Sequence, residues 1–264
     1  MQRVLAWITA AALAAPAAAD GIEVDLELVL MVDVSRSMTP RELDIQRRGY
    51  AAALRSDAVH AAVRSGLLQR IAVSYVEWSG TQEVIVPWRL LETRADLDAF
   101  AGALATEFHS ALRRTSISEA LIFGAAWIEA NGYSGLRRVI DVSGDGPNNQ
   151  GRPVTEARDR VLAEGIVING LPLMTRDGMG SRWHLDDLDI YYETCVIGGP
   201  GAFAVPVRQW EDFPEAVRRK LVLEIAGTAA RPDMVPAQGV PRAPRDCMIG
   251  EKLWRDRRGD WDMP

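Results

Sequence analysis

The sequence predicts an α/β fold with a doubly wound, mostly parallel six-stranded sheet and one antiparallel edge strand. Apolar segments typical of strands alternate with helical segments along most of the 264 residues, as in βαβ units. The first strand, residues 26–32, is apolar except for Glu27, which indicates burial on both faces of a parallel sheet. Only residues 79–82 separate the second and third strands, and so short a connection requires an antiparallel pair.

The elements follow in order from local signals. The first helix begins at a capping box, in which Thr39 precedes Pro40 and Glu42 follows three residues after Thr39. Helical spacing continues to Ser65, and Gly66 ends the helix. The predicted strands are residues 26–32, 71–78, 83–88, 138–143, 166–171 and 202–207. The predicted helices are residues 41–65, 94–108, 117–130, 154–164, 185–193 and 211–225.

The composition excludes several classes of protein. With 48% hydrophobic and 25% charged residues, the chain is globular, and it is neither disordered, collagen-like nor a coiled coil. The net charge is −6 and the isoelectric point is near 5.2, which offers no basic surface for phosphates. We therefore expect no nucleic-acid partner.

Residues 1–19 have the pattern of a signal peptide. Arg3 is followed by an apolar segment, residues 4–15, and Ala17 and Ala19 form an A-x-A cleavage pattern. This segment is too short to cross a bilayer, which takes about twenty residues. An uncleaved anchor or a buried helix is the alternative. We expect cleavage near Ala19, a mature chain without a membrane span, and a periplasmic or secreted location.

The remaining chain divides into a domain, residues 20–226, and a Pro-rich C-terminal extension, residues 227–264. The extension is expected to be irregular or extended and to wrap around the domain. Two cysteines, Cys195 and Cys247, could form a disulfide in an oxidising compartment and tie the extension to the domain. The alternative is two unrelated thiols.

Polar side chains occur at three places where ligands of open α/β sheets bind, the carboxyl ends of the strands. Asp33, Ser35 and Ser37 follow the first strand, Thr115 precedes the helix at residue 117, and Asp145 follows the fourth strand. Two carboxylates and three hydroxyls are hard oxygen ligands that suit Mg²⁺, Mn²⁺ or Ca²⁺ better than zinc or copper. Taken alone, Asp33 and the two serines could instead cap the first helix.

These residues resemble a known motif. Asp33-x-Ser35-x-Ser37 after a buried strand resembles the metal-ion-dependent adhesion site (MIDAS) of von Willebrand factor A-type (vWA) domains. Residues 115–121 are similar to the segment that holds the threonine ligand in that family. Residues 143–146 resemble its threonine-aspartate-glycine turn, with Gly144 in place of the threonine. The resemblance covers roughly residues 22–226. Further segments resemble an exported bacterial family, domain of unknown function 1194: residues 75–80, 142–149, 168–171 and 196–201.

The resemblance implies a Rossmann-like vWA fold and a bound divalent cation, which we expect to be Mg²⁺, with Mn²⁺ or Ca²⁺ as alternatives. It implies that Ser35, Ser37 and Thr115 coordinate the ion, and that Asp33 and Asp145 contribute directly or through water. Two carboxylates and neutral hydroxyls leave the ion able to attract an acidic residue from a protein partner.

Two other functions remain open at this stage. A metal-assisted hydrolase could use the same residues, but the three histidines, His60, His109 and His184, lie in no recognised catalytic context. A structural secreted domain with a degenerate site is the other, because Gly144 replaces a threonine. Asp141, in an otherwise apolar strand, is expected either to accept a hydrogen bond near the site or to pair with an arginine.

Overall fold

The computed structural model describes residues 21–104, 114–175, 185–227 and 245–261. The expected signal peptide lies outside these residues. The strands are β1 (Ile22–Val24), β2 (Leu26–Asp33), β3 (Ile71–Trp78), β4 (Gln82–Leu91), β5 (Tyr133–Gly135), β6 (Arg138–Gly144) and β7 (Val167–Pro172). The helices are α1 (Pro40–Leu54), α2 (Asp57–Arg64), α3 (Arg94–Leu104), α4 (Ile117–Glu129), α5 (Val154–Ala163), α6 (Leu188–Tyr191), α7 (Phe213–Ala226) and α8 (Ile249–Trp261). A π-helix, Tyr192–Val196, follows α6, and a 3₁₀ turn, Trp210–Asp212, precedes α7.

The main sheet has the strand order β4-β3-β2-β6-β7. β2 pairs in parallel with β3 and β6, β6 pairs in parallel with β7, and β4 is antiparallel to β3 at one edge. All eight residues of β2 are buried, and its alternate side chains enter two different hydrophobic clusters. The predicted α/β class, the parallel sheet and the antiparallel edge strand are thereby confirmed.

Among the described residues the main sheet has five strands and not the six predicted, because residues 202–207 do not form a regular strand. They join β7 only through two isolated parallel bridges, Gly170 with Ala204 and Leu173 with Val207. Between these bridges stands Pro172, which has no N–H to donate to the carbonyl of Val205. The ladder is therefore interrupted. A short parallel pair, β1 with β5, forms a second sheet that was not predicted.

Two predicted helices are divided. The segment 41–65 is two helices, α1 and α2, because Ser56 caps the second one by accepting a hydrogen bond from the N–H of Val59. The segment 185–193 is the short α6 followed by the π-helix. The capping box at the start of α1 is present, with Thr39 and Glu42 bonded to each other's backbone.

The C-terminal extension contains a helix, α8, where an irregular segment was expected. Residues 231–244, which lie outside the described residues, contain four prolines, and these led to the prediction of an irregular segment. Ile249 and Leu253 pack on the cluster between the sheet, α4 and α5, and the Arg114 guanidinium lies 5.1 Å from the ring centre of Trp254. Cys195 of the π-helix forms a disulfide with Cys247, with the two Cα atoms 5.4 Å apart.

Asp141 of β6 belongs to a buried ionic cluster on the other face of the sheet. Its carboxylate pairs with Lys220 of α7 and not with an arginine, and Lys220 also pairs with Glu224. Asn169 of β7 donates a hydrogen bond to Glu224 at 3.0 Å. The negative charge of Asp141 is thus compensated by Lys220 of α7.

Candidate metal site

The turn after β2 folds back onto the end of that strand. The N–H of Ser35 donates to Oδ1 of Asp33 at 2.7 Å, and the carbonyl of Ser35 accepts from the N–H of Met38 at 3.0 Å. Gln46 of α1 donates its side-chain amide to the carbonyl of Asp33 at 3.1 Å. Hydrogen bonds within the turn and from helix α1 therefore hold Asp33 and the residues after it in place.

Four of the five predicted ligands form one hydrogen-bonded chain. The hydroxyls of Ser35 and Ser37 are 3.0 Å apart, and the Ser37 hydroxyl donates to Oδ1 of Asp145 at 2.9 Å. Asp145 follows β6, the strand beside β2, so the two strand ends bring these residues together. The structure thus assembles Asp33, Ser35, Ser37 and Asp145 at the carboxyl edge of the sheet.

In the part of the protein described, Thr115 lies outside this hydrogen-bonded chain. Its carbonyl accepts from the N–H of Asn149 at 3.0 Å, and its own N–H donates to the Asn149 side chain at 3.3 Å. Asn149 belongs to the loop that begins at Asp145. Thr115 is buried and is held against that loop through its backbone.

The surroundings of Asp33 and Asp145 disfavour the charged forms of both carboxylates. Burial and the charge of Asp145 raise the pKa of Asp33 well above its usual value. Burial raises the pKa of Asp145 to about 6, with a further contribution from the charge of Glu42 and an opposing one from the Ser37 hydrogen bond. A divalent cation between the two carboxylates would relieve both costs.

The residues fit a hard cation. Asp33 is fully buried, and its Oδ2 atom has no hydrogen-bond partner among the described residues, which is unusual for a buried polar atom. The described residues contain no group of three or more His, Cys, Asp or Glu side chains arranged to hold a metal. A cation here would therefore depend on the hydroxyls as well as on the two acids. Oxygen donors of this kind match Mg²⁺, Mn²⁺ or Ca²⁺.

The glycine at position 144 has a steric explanation. A Cβ atom there would lie 2.8 Å from the Tyr192 hydroxyl, 3.0 Å from Oδ2 of Asp33 and 3.3 Å from the Trp78 ring. A threonine would not fit, because Tyr192 already occupies the space. The sequence analysis missed Tyr192. Its one sequence signal is a pair of glycines, since a Cβ on Gly170 would lie 2.6 Å from the Tyr192 ring.

The loop after β6 is also contacted by the C-terminal helix. The side-chain amide of Asn148 donates to Glu251 of α8 at 2.7 Å and its carbonyl oxygen accepts from the N–H of Ser118 at 3.0 Å. The N–H of Asn148 donates to the Tyr191 hydroxyl at 3.1 Å. Helices α4 and α8 and residue Tyr191 thus all support the loop that carries Asp145, and sequence reasoning identified none of these contacts.

The parallel sheet with one antiparallel edge strand, and an Asp-x-Ser-x-Ser turn at the end of its central strand, has the fold of vWA-type domains. The chain belongs to the family described as "Protein of unknown function (DUF1194)", which matches residues 23–229. No curated protein matches the sequence significantly.

Solved structures share this fold at low sequence identity. Proximal thread matrix protein 1 (PTMP1) from the mussel byssus is 14% identical, with a TM-score of 0.56 over 79% of this chain and 49% of that protein. The pilus adhesin SpaC from Lactobacillus rhamnosus GG is 13% identical, with a TM-score of 0.56 over 78% of this chain and 31% of the adhesin. A von Willebrand factor type A protein from Catenulispora acidiphila is 13% identical, with a TM-score of 0.53 over 76% and 43%.

A second PTMP1 structure, described as having a zinc-occupied MIDAS motif, is 13% identical with a TM-score of 0.50 over 77% of this chain and 47% of that protein. The chain thus spans less than half the length of these solved proteins. None of the described helices combines the length and the apolar character that crossing a bilayer requires.

Proposed function

We propose that the protein is an exported, metal-ion-dependent protein-binding module that engages an acidic group of a partner protein through a divalent cation. The observation that carries this proposal is the hydrogen-bonded chain from Asp33 through Ser35 and Ser37 to Asp145, together with the unpartnered Oδ2 of Asp33. This group of oxygen atoms, in which Asp33 and Ser35 are buried and Ser37 and Asp145 are half-buried, is suited to hold a cation.

Each residue has a role in this proposal. The hydroxyls of Ser35, Ser37 and Thr115 coordinate the cation, while Asp33 and Asp145 do so directly or through water. Mg²⁺ is the ion we expect first, and Mn²⁺ or Ca²⁺ would suit the same ligands. Because the hydroxyls are neutral, the cation keeps the capacity to bind a carboxylate of the partner.

Two of the solved structures with this fold are described with a metal site or as an adhesin. One PTMP1 structure is described with zinc in its MIDAS motif, and SpaC is described as a pilus adhesin. Their identities of 13% carry the fold alone, so the chemistry proposed here depends on the residues of this chain. The role proposed for the domain is therefore binding and not catalysis.

Export forms the second part of the proposal. Residues 1–19 would be removed as a signal peptide, leaving a vWA-like domain to residue 226 and an extension, residues 227–264. The Cys195–Cys247 disulfide is consistent with a periplasmic or secreted protein, because such bonds persist in oxidising compartments. Mass spectrometry of the exported protein would locate the mature N-terminus, which we expect after Ala19.

Titration calorimetry with Mg²⁺ and Mn²⁺ tests the metal site. Asp33→Ala is expected to abolish binding while the circular dichroism spectrum is unchanged. Asp44→Ala is the matched control, since Asp44 lies on α1 with about a third of its side chain exposed and pairs with Arg48. Equal affinity in the wild type and Asp33→Ala would refute the site. Partner capture from periplasmic extract, with and without chelator, would then test the binding role.

A further inference from the structure

We infer that Tyr192 is a positioning residue of the metal site, and that its hydroxyl holds Oδ2 of Asp33 through one bridging water. This inference rests on the proposed function and extends it to a residue outside the five predicted ligands. Tyr192 would thereby occupy the space of a threonine side chain at position 144 and would supply a hydroxyl group there.

Two oxygen atoms that lack hydrogen-bond partners lie close to the same point. The Tyr192 hydroxyl and Oδ2 of Asp33 are both buried, and neither has a hydrogen-bond partner among the described residues. Both lie within 3.0 Å of the point where a Cβ of Gly144 would stand. A phenol can donate to a carboxylate or to a water bound to it. The nearest groups around that point therefore include a donor and an acceptor that match.

The second argument is the space that the sheet leaves for this ring. Gly144 and Gly170 stand on the neighbouring strands β6 and β7, and in both a Cβ atom would collide with Tyr192. Glycine inside a strand weakens it, because it has no side chain to pack and loses more backbone entropy on folding. Because both glycines leave room for the same tyrosine, we infer that the position of the Tyr192 ring is functionally important.

The third argument is the way the tyrosine is fixed. Tyr192 begins the π-helix, a geometry often found at functional sites. Cys195 of the same π-helix is tied to Cys247 by the disulfide, and the preceding Tyr191 accepts a hydrogen bond from the N–H of Asn148. The element that carries Tyr192 is thus anchored both to the extension and to the loop of Asp145.

The test compares Mg²⁺ binding in wild type, Tyr192→Phe and Tyr75→Phe. Tyr75 is the matched control, because its hydroxyl is also buried without a hydrogen-bond partner but belongs to the cluster on the other side of the sheet. Loss of a group that orients a metal ligand typically weakens binding by about 10–100-fold. We expect at least about tenfold weaker Mg²⁺ binding by calorimetry in Tyr192→Phe and wild-type affinity in Tyr75→Phe.

A spectroscopic measurement separates positioning from packing. Adding Mg²⁺ should produce a tyrosine difference absorption spectrum in wild type and Tyr75→Phe, and this spectrum should be lost in Tyr192→Phe. If Tyr192→Phe binds Mg²⁺ with wild-type affinity and keeps the difference spectrum, the inference is wrong. If the wild type binds no divalent cation, the proposed function itself fails, which is a different result.

A second variant serves in case Tyr192→Phe does not fold. In Gly170→Ala the new methyl group would displace the Tyr192 ring, and the three closest atoms to it belong to Tyr192 and Ile197, not to Asp33. We expect weaker Mg²⁺ binding and an altered difference spectrum in Gly170→Ala as well. Wild-type affinity in this variant would overturn the inference.

Discussion

Nζ of Lys220 lies 2.6 Å from Oδ1 of Asp141, and both side chains are only 1% exposed. The same ammonium group pairs with Glu224, whose side chain is fully buried. One cation therefore serves two carboxylates in the interior. Burial and the charge of Asp141 raise the pKa of Glu224 to about 7, while Lys220 opposes this rise.

Replacement of Lys220 by methionine should strongly destabilise the protein. Lys220→Met keeps a similar volume but leaves two buried carboxylates without their cation, and breaking a buried pair in this way costs about 3–5 kcal/mol. Urea denaturation would measure the loss in the free energy of unfolding. Lys252→Met is the control, because the exposed pair of Lys252 with Asp246 should contribute less than about 1 kcal/mol. A loss in Lys220→Met no larger than in this control would contradict the prediction.

Glu224 should make stability fall as the pH rises. Its pKa is raised from 4.5 to about 7 in the folded protein, so the folded state binds more protons than the unfolded state between these values. Its contribution is fully present below pH 4.5 and is lost as the pH rises through 7. Denaturation of wild type and Glu224→Gln at pH 5 and pH 7.5 would measure this. Glu224→Gln should remove up to about 3 kcal/mol of the fall in the free energy of unfolding between these pH values. If the free energy of unfolding falls equally with pH in both proteins, Glu224 is not responsible for the fall.

Mg²⁺ affinity should increase with pH. The pKa of Asp145 is raised to about 6, and a cation binds the ionised carboxylate, so protons compete with the metal below that pH. Calorimetry at pH 5, 6 and 7.5 should show tighter binding at each step, and the raised pKa of Asp33 adds to this dependence. The expected loss is up to about tenfold per pH unit below 6. Affinity that is flat over this range would rule out an ionised Asp145 as a contributor.

Opening the disulfide should weaken the protein and release α8. Cys195 and Cys247 are 52 residues apart in the sequence, and such a cross-link contributes about 2–4 kcal/mol. Because Glu251 of α8 accepts a hydrogen bond from Asn148, reduction should also increase hydrogen exchange in the loop after β6. The double variant Cys195→Ser/Cys247→Ser should behave like the reduced protein, and a reductant should leave it unchanged. Full stability in the double variant would disprove this prediction.

The central elements were predictable because their signals are local. The apolar strand at residues 26–32 ends in a polar turn, and the structure extends it by one residue, to Asp33. The short connection after Trp78 fixed the antiparallel direction of β4. Four predicted ligands meet because parallel strands end at the same edge of a sheet.

Features that depend on distant contacts were not predictable. Pro172 interrupts the pairing of a different segment, and this effect appears only when the two segments lie side by side. Lys220 occurs in an amphipathic helix, where a lysine usually faces water, and only the packing of α7 on β6 buries it against Asp141. The Tyr192 ring lies in space that two glycines leave open, and no spacing rule in the sequence connects these positions.

Gly144 affects how relatives of this chain should be recognised. A search by motif letters would score the missing threonine as decay of the site, whereas a Cβ atom at this position would lie only 2.8 Å from the Tyr192 hydroxyl. We expect relatives that carry glycine at this turn to carry glycine in the next strand and a tyrosine after α6 as well. Grafting the usual threonine onto this scaffold without changing Tyr192 would therefore damage the site it was meant to restore.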